Sequence, residues 1–200
     1  MGKGRLEAFS DGVLAIIITI MVLEMKVPHG ASWEFLQPLA PVFMSYILSF
    51  VYVGIYWNNH HHLLHAARQI NGKIMWANNH LLFWLSLMPF SSGWMGENHF
   101  EPLPTAVFGL DLLMAAIAYF ILARCLVGLH GKDSTIGRAL GMDVKGKISV
   151  VVYALAIPLA FVAGWISLLL YALVAVMWLI PDKRIELKLA EEHLGLKIKN

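Results

Sequence analysis

Few side chains in this sequence are equipped for chemistry, and they sit in three places. The densest is Trp57-Asn58-Asn59-His60-His61-His62-Leu63-Leu64-His65. His61 and His65 are four residues apart, so on a helix they share a face, a spacing at which paired imidazoles hold a metal. With His60 and His80 they define one candidate chemistry, a membrane-embedded metalloenzyme. No HExxH pattern is present and no second helix offers a partner carboxylate, so we assign no metal ligands. The run reads better as a boundary between apolar and aqueous surroundings.

The second place is Arg5-Leu6-Glu7-Ala8-Phe9-Ser10-Asp11, opening the first apolar stretch, and the third is Asp111, an acid among apolar neighbours. Ionisable groups are costly inside a membrane and mark ion paths or proton relays. Asp11, His60 and Asp111 would therefore suit an ion- or proton-coupled transporter. Asn78, in Trp76-Ala77-Asn78-Asn79-His80, stands level with His60 across a helix pair. We expect Asp11, His60 and Asn78 to meet in one buried polar layer, each the partner of another. Tyr52-Val53-Gly54-Ile55-Tyr56 has the outline of a potassium filter. It lies inside a continuous apolar stretch rather than a re-entrant loop, and we reject it.

The elements that position these residues follow from composition. Of 200 residues, 58% are hydrophobic and only 14% charged, with a mean hydropathy of +0.66. Soluble domains carry about 25% charged residues. A globule this poor in charge would expose large apolar patches, which excludes a soluble enzyme, a secreted toxin and a disordered tail. Cys125 is the single cysteine, so no intrachain disulfide forms. The N-terminus lacks a small-residue cleavage site and is expected to be retained.

Crossing a core of about 30 Å takes roughly 20 apolar helical residues. The sequence predicts an all-α polytopic membrane protein with six transmembrane helices per subunit and no re-entrant filter loop. They run over about 6–25, 38–65, 74–95, 104–127, 147–163 and 164–181, forming a transmembrane domain 1–181. Residues 148–180 hold no formal charge and are too long for one span, so we place a tight break at Ala163-Gly164-Trp165. Residues 182–200 form a short charged tail. With both termini cytoplasmic, 14 of the 15 Lys and Arg fall inside and only Lys26 outside, beside Glu24, Glu34, Glu97 and Glu101. That partition favours an even number of spans in a multi-pass membrane protein.

These residues also carry a resemblance. Arg5-x-x-x-Phe9-Ser10-Asp11 at the first span is similar to the hallmark of the transmembrane protein 175 family, the endosomal/lysosomal potassium channels and their bacterial relatives. Ala15 to Thr19, Val22-Leu23-Glu24, Trp57-x-x-His60, Trp76-x-Asn78, Pro89-Phe90-Ser91 and Trp178-Leu179-Ile180-Pro181-Asp182 continue it along the chain.

The resemblance implies a bacterial six-helix subunit, four of which surround a central pore lined by helix 1. It implies a potassium-selective leak-type channel without enzymatic activity, with K⁺ as the permeant ion, no cofactor, no nucleic-acid partner, and the lipid bilayer and its own copies as partners. Carried onto this chain, the constricting residues are Ile16, Thr19, Ile20 and Leu23. Arg5, Phe9, Ser10, Asp11, Trp57, His60 and Asn78 form the signature and polar network. At about 100° per residue, Thr19, Ile20 and Leu23 all fall within about 60° of Ile16, whereas Asp11 lies about 140° away. The stripe and the polar layer are thus expected on different faces, with Asp11 turned into the subunit. The histidine run is longer than the family pattern, and Asp111 stands where a neutral polar residue is more usual.

Overall fold

The structure, a computed structural model, describes residues 2–140 and 143–179. The tail 182–200 and the Ile180-Pro181-Asp182 end of the last expected span lie outside the described residues. Among those described, every regular element is helical. The elements are α1 (Lys3–Leu23), a short α2 (Trp33–Leu36) with a 3-10 turn (Gln37–Leu39), α3 (Ala40–His65), α4 (Gly72–Glu97), α5 (Pro102–His130), a short α6 (Thr135–Leu140) and α7 (Val144–Leu179).

Local sequence explains the boundaries. Proline is tolerated in a first turn because its missing N–H has no partner there, and Pro41 and Pro102 open α3 and α5. Asn71 caps α4 by accepting from the Ile74 N–H at 3.0 Å. At the end of α5, Gly131 adopts φ 88°, a conformation that costs glycine nothing.

α7 is two antiparallel arms. Its backbone is helical except at Ala163, with φ −153° and ψ 78°. The arms pair in nested order: Lys145 Nζ donates to the Met177 carbonyl at 3.3 Å, and Trp178 Nε1 to Ser149 Oγ at 2.8 Å. The Tyr153 and Tyr171 rings lie 6.3 Å apart, and Ser167 Oγ reaches the Ala156 carbonyl at 2.7 Å. Only a hairpin closing near Ala163 produces that order.

Four segments are long and apolar enough to cross a membrane: Lys3–Leu23, Trp33–His65, Pro102–His130 and Val144–Leu179. α4 is of comparable length but is diluted by Asn78, Asn79, His80, Ser86, Ser91 and Ser92. It occupies the centre, packing against α1, α3 and α5, while α5 packs in turn on α7. Asn78 and Ser91 bond to neighbouring helices, whereas His80, Ser86 and Ser92 bond within α4 itself.

The core between α3, α5 and α7 is aromatic. Tyr52 Oη donates to the Tyr171 carbonyl at 2.6 Å and accepts from Tyr153 Oη at 3.2 Å. Tyr171 Oη donates to the Thr105 carbonyl at 3.3 Å, and Phe108 packs edge-on against both Tyr52 and Tyr171. Gly109 permits this, since a Cβ there would collide with the Tyr171 phenol. Tyr52 to Tyr56 lies wholly within helical α3.

Candidate functional site

α1 has two unlike faces. Leu6, Ser10, Leu14, Ile17 and Met21 are buried, forming the seam against α4 and α3. Ile16 is 60% exposed and Leu23 is 74% exposed, with Ile20 and Thr19 also open. Taking Ile16 as zero, the buried seam centres near 120° and the open stripe near 0°. In a bilayer, apolar exposure on a lone subunit suits lipid or a second subunit equally well. The hydroxyl in the stripe is the informative member.

Thr19 Oγ1 donates to the Ala15 carbonyl at 2.9 Å. The back-bond consumes the proton and leaves oxygen lone pairs outward, the polarity a cation or its water requires. Alongside, Val13, Ile16, Ile20, Glu24, Ser86 and Phe90 line an open groove of about 420 Å³ between α1 and α4. Pro89 also borders this groove and interrupts the α4 hydrogen-bond ladder.

The end of the bundle where α1 begins and α3 ends holds the polar layer, with a different membership from that expected. His60 Nε2 lies 2.6 Å from Asn78 Oδ1, and Asn78 Nδ2 donates to Ser10 Oγ at 3.0 Å. Ser10 Oγ donates onward to the Leu6 carbonyl at 2.9 Å. With His60 protonated at Nε2, every donor in this chain faces an acceptor, joining α3, α4 and α1. All three side chains are buried.

Asp11 is not in the layer. It is exposed, and its Oδ1 accepts from Trp57 Nε1 at 3.0 Å. The cause is helical phase. Ser10 falls at the centre of the buried seam, and the next residue is turned by about 100°, out of the seam and short of the stripe. Arg5 and Phe9 are exposed, with Phe9 at 51%. The signature thus divides: Ser10, His60 and Asn78 lock three helices internally, while Asp11 and Trp57 form an outer clasp between α1 and α3. Lys3 adds to that clasp, donating to the His65 carbonyl at 3.0 Å and lying 3.7 Å from Glu7.

The remaining chemical candidates disperse. His61 stacks between Trp57 and His65, with ring centroids 6.3 and 5.9 Å away. His80 Nε2 accepts from Trp84 Nε1 at 3.0 Å, and His60 is committed to Asn78. Among the described residues no three His, Cys, Asp or Glu side chains gather to hold a metal. Asp111 is buried toward the other end of the bundle, where its Oδ2 accepts from Ser91 Oγ at 2.8 Å and, among the described residues, its Oδ1 has no hydrogen-bond partner. Asp11, His60 and Asp111 thus belong to three separate sets of hydrogen bonds.

Outside the spans, Lys26 Nζ meets Glu97 Oε1 at 2.9 Å and ties the segment after α1 to the end of α4. Its hydrogen bond to Glu97 and that carboxylate's charge hold the Lys26 ammonium above the ordinary lysine range.

Several relatives of this chain are named as channels. Residues 5–89 match the family described as endosomal/lysosomal potassium channel TMEM175. The chain is 56% identical over 191 residues to a potassium channel of Chryseobacterium sp. (strain P1-3), covering 96% of this chain and all of that one. The chain belongs to the TMEM175 family. It is also 29% identical over 187 residues to a potassium channel of Streptomyces collinus, covering 88% of this chain and 91% of that one. In fold it is similar to the crystal structure of a lysosomal potassium-selective channel TMEM175 homolog from Chamaesiphon minutus. The TM-score is 0.75 at 24% identity, covering 90% of this chain and 97% of that one. As a TMEM175 member with long apolar helices, the chain is a multi-pass membrane protein.

The TMEM175 match covers the seam, the stripe and the polar layer together. The seam's exact phase had no signal in the sequence, because α1 is apolar nearly all round. The tyrosine core and the Asp11–Trp57 clasp were missed for a similar reason: each joins residues far apart in the chain with no spacing rule between them.

Proposed function

We propose that this chain is the subunit of a potassium-selective, leak-type channel of the cell membrane, built as a homotetramer around α1. In this reading the α7 arms count as two spans, the membrane is crossed six times, and both termini are cytoplasmic. The 14-to-1 partition of Lys and Arg supports that orientation. The observation that carries the proposal is the two-faced α1. Its buried seam is fixed to α4 and α3, leaving Ile16, Ile20 and Leu23 with one outward hydroxyl, Thr19, to face an axis.

Four copies of that stripe make a narrow apolar constriction. Such a ring passes an ion according to the cost of stripping its water, which is lower for potassium than for sodium. The ring of four Thr19 oxygens offers partial compensation. Selectivity of this origin is modest, and no chemical step or cofactor enters. The names of the relatives, potassium channels at 56% and 29% identity, support K⁺ as the permeant ion.

Native mass spectrometry and flux into liposomes test the reading together. A species of four chains that admits potassium faster than sodium is expected. A stable monomer, or vesicles no leakier than empty ones, would overturn it.

A further inference from the structure

The inner end of α5 carries a second feature that the pore does not use. A groove of about 510 Å³ opens between the last turns of α5, the segment that follows it and the start of α7. Its volume is in the range of small-molecule sites. Three cations line it, Arg124, Lys132 and Lys147, and one acid, Asp143. The acid is committed: Asp143 Oδ1 accepts from the Gly146 N–H at 3.1 Å and caps α7. The guanidinium of Arg124 lies 5.9 Å from the centre of the Phe120 ring. Among the described residues none of the three cations meets a carboxylate within ion-pair distance.

The apolar part of the groove is equally specific. Phe120, at 39% exposed, lies about one turn deeper along α5 than Arg124, and Val127 lies between Arg124 and Lys132. Gly128 leaves the wall beside Val127 bare, with no heavy atom within 4 Å of where a Cβ would stand. A free anion such as phosphate has no use for an apolar slot continuous with the bilayer. An acyl chain does, and the cations stand at the depth of lipid headgroups.

We propose that this groove binds an anionic phospholipid, its phosphate among Arg124, Lys132 and Lys147 and an acyl chain along Phe120 and Val127. The charged tail 182–200 is the competing occupant within the chain, but it carries five Lys and Arg against four Asp and Glu. It is therefore poorly matched to a basic groove. The lipid would join α5 to the first arm of α7 at the membrane surface, where no direct ion pair does so.

Native mass spectrometry of the full chain tests this, titrating phosphatidylglycerol, phosphatidylcholine and glycerol phosphate. Saturable binding of phosphatidylglycerol alone is expected. Each cation near an anionic membrane contributes on the order of fivefold in affinity. The double substitution Lys132→Gln, Lys147→Gln should thus weaken binding roughly 25-fold. Gly128→Leu keeps every charge, favours the helix and fills the slot, and should weaken phosphatidylglycerol binding while thermal stability is held.

Equal binding of phosphatidylcholine would overturn the proposal, as would phosphatidylglycerol binding that both variants leave unchanged. Glycerol phosphate competing as well as the lipid would make the groove a soluble-anion site. Binding seen only when Glu186, Glu191 and Glu192 are replaced by Gln would assign the groove to the tail.

Discussion

The two faces of α1 have nearly the same apolar composition and opposite fates. One buries Leu6, Leu14, Ile17 and Met21 around Ser10 and is held by a chain of hydrogen bonds through Asn78 to His60. The other leaves Ile16, Ile20 and Leu23 open, with Thr19 bonded only to its own helix. Hydrophobicity does not separate the faces, since both are aliphatic. The polar residue does. A serine that finds a partner on a neighbouring helix marks the face turned inward, and a threonine satisfied within its own backbone marks the face left free. In a membrane, where burying an apolar side chain against protein gains little over lipid, polar pairing is what sets helix rotation.

The largest effect should come from wetting the open face. Ile16→Asn places an amide in the proposed constriction; lowering its barrier by about 1.4 kcal/mol raises current about tenfold. Leu23→Asn should act in the same direction, and single-channel recordings unchanged for both variants would remove α1 from the pore. On the buried face, Asn78→Leu strands the His60 ring nitrogen and removes the donor to Ser10 Oγ, which keeps its own bond to the Leu6 carbonyl. A stranded group costs about 1–3 kcal/mol, so thermal unfolding in detergent should drop by several degrees. A variant as stable as the parent would mean the network does not hold the helices.

Thr19→Val should leave stability untouched, since its hydroxyl serves no neighbour, and should move the reversal potential toward that of a less selective pore. An unaltered reversal potential separates Thr19 from selection. The clasp offers a sharper contrast. Asp11→Asn keeps an acceptor for Trp57 and should disturb assembly less than Asp11→Ala, with permeation similar in both. Different selectivity in stable tetramers of the two variants would put Asp11 in the ion path instead.

The smallest effect belongs to Lys26, whose partner Glu97 ties the loop after α1 to α4. Its folded pKa is raised, so the bridge contributes fully below the ordinary lysine pKa and fades as pH climbs through the folded value. Both groups are solvated, so Lys26→Met should move the melting temperature by about 2 °C or less near neutral pH. A larger shift would show the loop to be held more firmly than exposed charges allow.

Much of this was legible in the sequence. Charge scarcity excluded a soluble fold, and Asn78 beside His60 announced a polar contact between α3 and α4. Helix phase was not legible. The shift from Asp11 to Ser10 is a single residue, yet it turns the side chain by about 100° and exchanges an ionised group for a neutral one in the layer. The neutral choice is physically sounder, because a serine can donate and accept in a dry site without the cost of burying a carboxylate. Asp111 shows the other limit. It stands out in the sequence as an intramembrane acid, but its single contact with Ser91 depends on where α4 and α5 cross, which no residue spacing encodes.

The central claim, that potassium crosses along the open face of α1, is tested most directly by planar-bilayer recording under opposed potassium and sodium gradients. The purified parent protein and Ile16→Asn should be measured side by side. The account predicts unitary currents reversing toward the potassium equilibrium potential, with larger conductance and weaker preference in the variant. Currents that ignore the substitution, or no unitary currents from a verified tetramer, would contradict it.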